Sequence, residues 1–190
     1  MGQADNYKKR FHNNIEKTEE IYNGKLVNLK IEHVKDNNKI KKYEIVNHPN
    51  GVSMIPITKD GNIILIKQYR RALDSVIIEI PAGISEIDEL PKIAANRELQ
   101  EEIGYKSNKL TLLGKYFLSP GFCNEHMFLF LAQDLTKSSL EKDGDEFFDI
   151  FEVSEKEALD LIKNNKINDI KTSYGILHYL NWKKLFTKLK

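Results

Sequence analysis

The segment from Gly83 to Tyr105 constrains this chain more than any other part of its sequence. It contains six carboxylates, and three of them, Glu98, Glu101 and Glu102, fall within five residues. On a helix these three side chains point toward one side, because they are three and four residues apart. Like charges at this spacing destabilise an isolated helix by about 0.2–0.5 kcal/mol per pair. The segment therefore predicts a helix whose acidic side is stabilised by a cation.

Ligands that offer only oxygen favour a hard ion. Mg2+ in proteins takes one or two carboxylates and completes its coordination shell with waters and substrate phosphates. The three glutamates therefore predict a metal-dependent enzyme that acts on a phosphorylated substrate.

The composition excludes several other classes of protein. The chain has 190 residues, enough for one domain with a small added lobe, and its net charge of +1 favours neither nucleic acid nor membrane as a partner. The N-terminus lacks an apolar signal core, and no apolar run is long enough to span a bilayer. Cys123 is the single cysteine, so an intramolecular disulfide is impossible and a reducing, cytoplasmic setting is expected.

The first half of the chain predicts mostly strands. About twenty polar residues at the start are expected to be a frayed helix or a tail. Alternating apolar residues from Val27 to Ile31 predict a strand, the turn residues 36–38 follow, and Lys41–Val46 is expected to pair back as a hairpin that forms a small lobe or a dimer arm. A second hairpin is predicted from Val52–Ile57 and Asn62–Tyr69, which flank Asp60 and Gly61.

The second half mixes strands and helices. A strand at Val76–Ile80 precedes the acidic helix, which is expected to begin at Leu90 and to end at Ile103 before Gly104. The remaining predicted elements are strands at 110–118 and 127–132, a helix that a capping box starts at Ser154, and a final helix at 172–189. The predicted class is α+β, or a mixed-sheet sandwich.

The acidic segment also fits a longer pattern, G-x5-E-x7-R-E-U-x-E-E-x-G-U, in which U is aliphatic. The matching residues are Gly83, Glu89, Arg97, Glu98, Leu99, Glu101, Glu102 and Gly104. This pattern resembles the Nudix box, the signature of the Nudix hydrolases. Tyr105 is the single departure, at a position where an aliphatic residue is usual, and it is expected to affect packing more than catalysis.

Residues outside the box resemble one branch of that family, the ADP-ribose pyrophosphatases. Pro81 and Ala82 precede the box, and Pro120 lies fifteen residues after Tyr105, as a proline does in that branch. The resemblance implies a Nudix fold, in which a mixed β-sheet is sandwiched between α-helices. It also implies a homodimer, with residues 1–46 as an N-terminal β lobe that serves dimerisation and adenine binding, and residues 47–190 as the Nudix hydrolase domain.

The resemblance assigns the metal ligands. It implies that Glu98 and Glu102 are the main ligands of Mg2+, with Mn2+ as the alternative ion. The Ala82 carbonyl and Glu101 are the further ligands that it implies.

Catalytic roles follow from the same resemblance. Arg97 is expected to hold the carboxylates in place, Glu89 to brace the loop, and Gly83 to let that loop pass close to the metal. The general base is expected in an acidic loop after the box. Glu146 is the first choice there, and Asp145 and Asp143 are the alternatives.

Substrate contacts are implied at three places. Arg70 resembles a phosphate-binding arginine, and Tyr43 and Glu44 lie where some relatives bind adenine, although Leu26 stands where those relatives have tryptophan. Pro120 and Gly121 are expected to contact the substrate from their loop. Neighbouring Phe122 and His126 either line its ribose end or pack in the core.

The implied reaction is metal-dependent hydrolysis of the diphosphate bond of ADP-ribose to AMP and ribose 5-phosphate. The sequence leaves two alternatives open. One is hydrolysis of another nucleoside diphosphate sugar, such as a GDP- or UDP-hexose. The other is a non-catalytic regulator that binds ADP-ribose.

Overall fold

The computed structural model describes residues 14–141 and 148–188. They form two compact units, one made of residues 14–50 and 117–126 and the other of the remaining residues. The sequence placed the boundary at residue 46 and assigned the whole of 47–190 to one domain. The structure instead groups the loop 117–126, which contains Pro120, with the N-terminal unit.

The first unit contains a three-stranded antiparallel sheet in the order β1-β2-β3. Its strands are β1 (Ile15–Asn23), β2 (Asn28–Asp36) and β3 (Lys39–Asn47). The predicted hairpin is confirmed, since β2 pairs with β3 up to Asp36 and Lys39, and Asn37 adopts a positive φ of 57° in the turn.

The prediction for the N-terminal stretch was wrong where the structure describes it. Residues from Ile15 onward form β1, neither a helix nor a tail. This strand is exposed along almost its whole length, so no face of it requires alternating apolar residues. Its antiparallel pairing with β2, which contains two register shifts, supplies backbone hydrogen bonds that the pattern of side chains does not reveal.

The second unit contains two sheets. A three-stranded sheet has the order β10-β5-β6, and a four-stranded mixed sheet has the order β7-β4-β9-β8, in which β4 and β9 are parallel. The strands are β4 (Gly51–Pro56), β5 (Ile63–Arg70), β6 (Ser75–Glu79), β7 (Ala82–Ile84), β8 (Tyr105–Phe117), β9 (His126–Lys137) and β10 (Phe148–Val153).

The second predicted hairpin was wrong in its pairing. The turn exists, since Gly61 has a φ of 85° and its N–H donates to the Thr58 carbonyl. However, β4 and β5 belong to different sheets, and only one bridge, between Ile57 and Ile63, joins their ends. All six residues of β4 are buried. Strand β9 pairs with β4 along its whole length, and β7 pairs with Gly51–Ser53, so the partners of β4 come from distant parts of the chain and not from β5.

Three helices cover the sheets of the second unit: α1 (Pro91–Ile103), α2 (Glu155–Lys163) and α3 (Ile170–Lys188). The predicted capping box is confirmed, because the Ser154 hydroxyl accepts from the Glu157 N–H and the Glu157 carboxylate accepts from the Ser154 N–H. Alternate residues of the central strands face opposite helices. Met54 packs in the cluster that contains Leu99 of α1, and Ile55 packs in the one that contains Ile176 of α3.

Mixed sheets between helices confirm the predicted α+β class. Helix α1 is held on one side of the sheets by its buried alanine and leucine residues, while α2 and α3 lie on the other. Among the residues that the structure describes, no helix is long and apolar enough to cross a membrane.

Candidate active site

Helix α1 carries the acidic segment and lies on β4 and β7. Pro91 occupies the first turn, where a missing N–H costs little, and Gly104 ends the helix with a φ of 72°. Its buried residues include Leu99 and Ile103, which set the rotation of the helix on the sheet. That rotation also buries Glu102, which is only 2% exposed.

Arg97 connects three carboxylates of the box. Its Nε and Nη2 donate to the two oxygens of Glu89 at 3.1 and 3.0 Å, and its Nη1 donates to Glu98 at 2.9 Å and to Glu101 at 2.8 Å. A further bond of 2.9 Å joins Nη2 to the Ile84 carbonyl. One guanidinium therefore ties the loop before α1 to the acidic face of the helix, because its fork offers donors in several directions.

The charges of this cluster shift the pKa values of its members. The hydrogen bonds to Glu89, followed by the charges of Glu98 and Glu101, raise the pKa of Arg97 above its ordinary value. The hydrogen bond from Arg97 in turn lowers the pKa of Glu89. Both shifts favour the charged forms of Arg97 and Glu89.

Two further contacts bring the loop before α1 against the helix. The Ala82 N–H donates to Glu102 Oε2 at 2.9 Å. A Cβ placed on Gly83 would lie 2.0 Å from the carboxyl carbon of Glu98, so only glycine leaves that carboxylate where it is. Ala82 thus contacts Glu102, and Arg97 links Glu98 to Glu101; these four residues are the metal ligands that the resemblance implied.

These residues fit a small, hard cation. Glu98 and Glu102 are one helical turn apart and offer only oxygen atoms, and the glycine of the loop leaves room beside Glu98. In the part of the chain that the structure describes, no three His, Cys, Asp or Glu side chains converge as a complete ligand set. In proteins Mg2+ commonly takes only one or two carboxylates and draws the rest of its shell from waters and substrate phosphates.

Arg70 lies in a second charged cluster, whose other members, Glu79 and Lys171, were not predicted from the sequence. Its Nε and Nη2 donate to the two oxygens of Glu79 at 2.7 and 3.0 Å, and Lys171 hydrogen-bonds the same carboxylate. Glu79 is 1% exposed. Its signal in the sequence was a glutamate within the apolar strand before Pro81, which predicts a buried ion pair.

The remaining predicted substrate residues line a cavity of the first unit. The cavity has a volume of about 590 Å3. Its lining includes the four residues predicted from the sequence, namely Tyr43, Glu44, Pro120 and Gly121. Apolar walls with a few polar groups are typical of a small-molecule site, and this volume is within the usual range.

Backbone hydrogen bonds hold the loop 117–126 against the end of β3. The Val46 N–H donates to the Phe122 carbonyl at 2.7 Å, and the Asn124 N–H donates to the Val46 carbonyl at 3.2 Å. Phe122 consequently lines the cavity. His126, which the sequence placed beside it, packs its ring against Phe117 with centroids 4.2 Å apart.

The predicted general base and its alternatives, Glu146, Asp145 and Asp143, lie outside the described residues.

Comparison with known proteins agrees with the fold. The NUDIX domain model matches residues 47–173. An ADP-ribose pyrophosphatase from Bacillus subtilis (strain 168) is 42% identical over 169 residues, which cover 87% of this chain and 91% of that one. A methanol dehydrogenase activator from Bacillus methanolicus is 41% identical over 171 residues, with coverages of 88% and 92%. A crystal structure of an ADP compounds hydrolase superposes with a TM-score of 0.81 at 28% identity, over 90% of this chain and 93% of that one.

The fold, the complete box and these matches define the class of the protein. The chain belongs to the Nudix family of hydrolases, as its sequence pattern predicted. Members of this family generally use divalent metal ions.

Proposed function

We propose that the protein hydrolyses the diphosphate bond of ADP-ribose to AMP and ribose 5-phosphate. The observation that carries the proposal is the Arg97 cluster, in which one guanidinium holds Glu89 of the preceding loop together with Glu98 and Glu101 of α1. The similarity to an ADP-ribose pyrophosphatase over most of both chains supports the choice of substrate.

Glu98 and Glu102, with the Ala82 carbonyl, would hold Mg2+, and Glu101 is the further ligand. When bound, Mg2+ supplies Lewis-acid neutralisation of the negative diphosphate oxygens. Arg97 keeps Glu98 and Glu101 in place through its hydrogen bonds. Arg70 binds a phosphate oxygen of the substrate, and Glu146 removes a proton from the attacking water.

The cavity of the first unit is the proposed binding site of the nucleoside. Tyr43 is 38% exposed and lines the cavity, so its ring is accessible to a base for stacking. Glu44 offers carboxylate oxygens that can accept from the exocyclic amine of adenine. Pro120 and Gly121 contribute the wall that their loop forms.

The test is a hydrolysis assay of the purified protein with ADP-ribose and Mg2+, Mn2+ or a chelator, with products separated by chromatography. AMP and ribose 5-phosphate should appear with metal and be absent with chelator. Glu98→Gln and Glu102→Gln should each lower kcat/KM by about 100-fold or more. Glu86→Gln is the matched control, because Glu86 is exposed in the same loop, and it should retain activity.

A panel of other substrates decides the specificity. GDP-hexose, UDP-hexose and a nucleoside triphosphate are assayed under the same conditions. Faster turnover of GDP-hexose or UDP-hexose would identify that compound as the substrate in place of ADP-ribose. Release of pyrophosphate from the triphosphate would overturn the proposed bond specificity.

A second candidate is regulation of a dehydrogenase, which the 41% identity to a methanol dehydrogenase activator favours. The test adds the wild-type protein, or the Glu102→Gln variant, to purified methanol dehydrogenase and measures alcohol oxidation. Stimulation by the wild type alone would link regulation to hydrolysis. Stimulation by both would indicate a binding regulator, and stimulation by neither would exclude this candidate.

We also propose that the protein forms a homodimer and is located in the cytoplasm. The sheet of the first unit exposes Ile21, Tyr22 and Ile40 to between 50% and 59%. Burial of these side chains would favour association. Sedimentation equilibrium should then give twice the chain mass of 22.1 kDa.

A further inference from the structure

A buried charge network in the second unit joins Arg70 to Glu79 and Lys171, and neither Glu79 nor Lys171 takes part in the proposed reaction. Glu79 ends β6 and is 1% exposed, although it carries a carboxylate. Burying an ionised carboxylate is costly unless it is paired and hydrogen-bonded. Arg70 and Lys171 both donate to it, so two cations meet at one buried anion.

Arg70 is oriented by a bidentate contact. Its Nε and Nη2 donate to the two oxygens of Glu79, and this geometry fixes the plane of the guanidinium. Its third nitrogen, Nη1, has no partner within residues 14–141 and 148–188. That nitrogen remains available for a substrate oxygen.

Lys171 reaches the same carboxylate from the start of α3. A cation in the first turn of a helix is repelled by the positive end of the helix dipole, so nearby negative charges are needed to stabilise it there. Two carboxylates supply these charges, since Lys171 contacts Glu79 and also donates to Asp169 at 3.0 Å. Asp169 in turn caps α3 by accepting from the Thr172 N–H at 2.9 Å. The capped helix therefore sets the position of the lysine.

The segment after Glu79 connects this network to the acidic helix. The Ile80 N–H donates to the Thr172 hydroxyl at 2.9 Å, and two residues later the Ala82 N–H donates to Glu102. Burial opposes the charge of Arg70, but Glu79, Glu102 and Asp169 together raise the pKa of its guanidinium. Arg70 is thus within electrostatic range of a carboxylate of the box.

We propose that Glu79 and Lys171 are positioning residues that fix Arg70 so that its free nitrogen binds the substrate diphosphate beside the carboxylates of α1. The inference rests on the proposed function, because it takes the substrate to be a diphosphate. Lys171 itself does not contact substrate. Without its charge, Glu79 and Asp169 compete for Arg70 and draw the guanidinium away from its binding orientation.

The experiment is a double-mutant cycle of Lys171→Met and Arg70→Ala, measured by ADP-ribose hydrolysis. Lys171→Met alone should lower kcat/KM by about 10- to 100-fold, since small displacements of a positioning group have effects of that size. Lys171→Arg should recover most of the loss. In the Arg70→Ala background, Lys171→Met should change kcat/KM by less than about twofold, because the two residues act as one unit.

Lys183→Met is the matched control. Lys183 lies on the same helix and pairs with Glu155 at 2.6 Å, at a site where half of the lysine side chain is exposed. Its removal should leave kcat/KM within about twofold of the wild type. An equal loss in this control would indicate a general effect on α3 and would overturn the inference.

A second readout does not depend on turnover. The Nε–Hε resonance of Arg70, assigned by comparison with Arg70→Lys in 15N-labelled protein, should be sharp in the wild type and broadened in Lys171→Met. An unchanged resonance, or equal activity losses in both backgrounds of the cycle, would overturn the inference.

The two proposals fail in distinguishable ways. If the wild type leaves ADP-ribose intact, the proposed function fails, and the resonance alone tests whether Lys171 fixes Arg70. If Lys171→Met does not fold, Lys171→Gln removes the charge and keeps a polar side chain, and it replaces Met in both measurements.

Discussion

Gly83 lies so close to the carboxylate of Glu98 that no side chain fits at position 83. A Cβ on Gly83 would lie 2.0–2.2 Å from all three atoms of the Glu98 carboxylate group. The glycine is therefore required by its close approach to the Glu98 carboxylate, since its φ is not in the positive region.

Gly83→Ala should accordingly impair activity much more than stability. The methyl group displaces the end of a flexible side chain, which costs little in folding but moves a proposed metal ligand. We expect kcat/KM to fall about 100-fold, with little change in the midpoint of thermal unfolding. Ser85→Ala is the control, since no described residue hydrogen-bonds its hydroxyl, and it should remain active. Full activity of Gly83→Ala would contradict the assignment of Glu98.

Glu89→Gln should change how stability depends on pH. The hydrogen bond from Arg97 holds the pKa of Glu89 below its ordinary value of 4.5. A carboxyl with a lowered pKa stabilises the folded state above the unfolded value, and this contribution is lost as the pH falls through the folded value. The wild type should therefore exceed the variant in stability from neutral pH down to about 4.5, and the difference should shrink at lower pH.

Denaturant unfolding at a series of pH values measures that difference. Glu86→Gln, at an exposed position of the same loop, should show no comparable trend. A difference for Glu89→Gln that stays constant or grows on acidification would rule out the stabilising ion pair.

Tyr43→Ala should weaken substrate binding without slowing the chemical step. Stacking of a base on an aromatic ring contributes about 1–3 kcal/mol, so KM for ADP-ribose should rise about tenfold. The value of kcat should change little, because the contact is the same in the ground and transition states. Tyr43→Phe keeps the ring and should resemble the wild type. Equal KM values for all three proteins would remove Tyr43 from the substrate site.

Glu146→Gln tests the proposed general base by steady-state kinetics. Loss of a general base typically lowers kcat by about 10²–10⁴-fold. Asp145→Asn and Asp143→Asn are the matched variants from the same acidic stretch of sequence, and each should retain most of the activity. A loss below about tenfold in Glu146→Gln, together with a larger loss in either neighbour, would move the role to that neighbour.

Local spacing was sufficient to predict much of this protein. The pattern from Gly83 to Gly104 identified the helix, its family and the carboxylates that Arg97 now connects. The capping box at Ser154 and the first hairpin were also predicted, because a cap or a tight turn depends on residues only a few positions apart. Such features can be predicted from the sequence because the interactions that stabilise them join residues that are close in sequence.

Contacts between distant residues could not be predicted in this way. The pairing of β4 with β9 in place of β5, the strand at Ile15–Asn23 and the grouping of the loop 117–126 with β3 depend on which surfaces meet after folding. Glu79 and Lys171 are 92 residues apart, yet they share a buried ion pair. The cost of burying a charge forces such a partner to exist, but only the packed chain determines which residue it is.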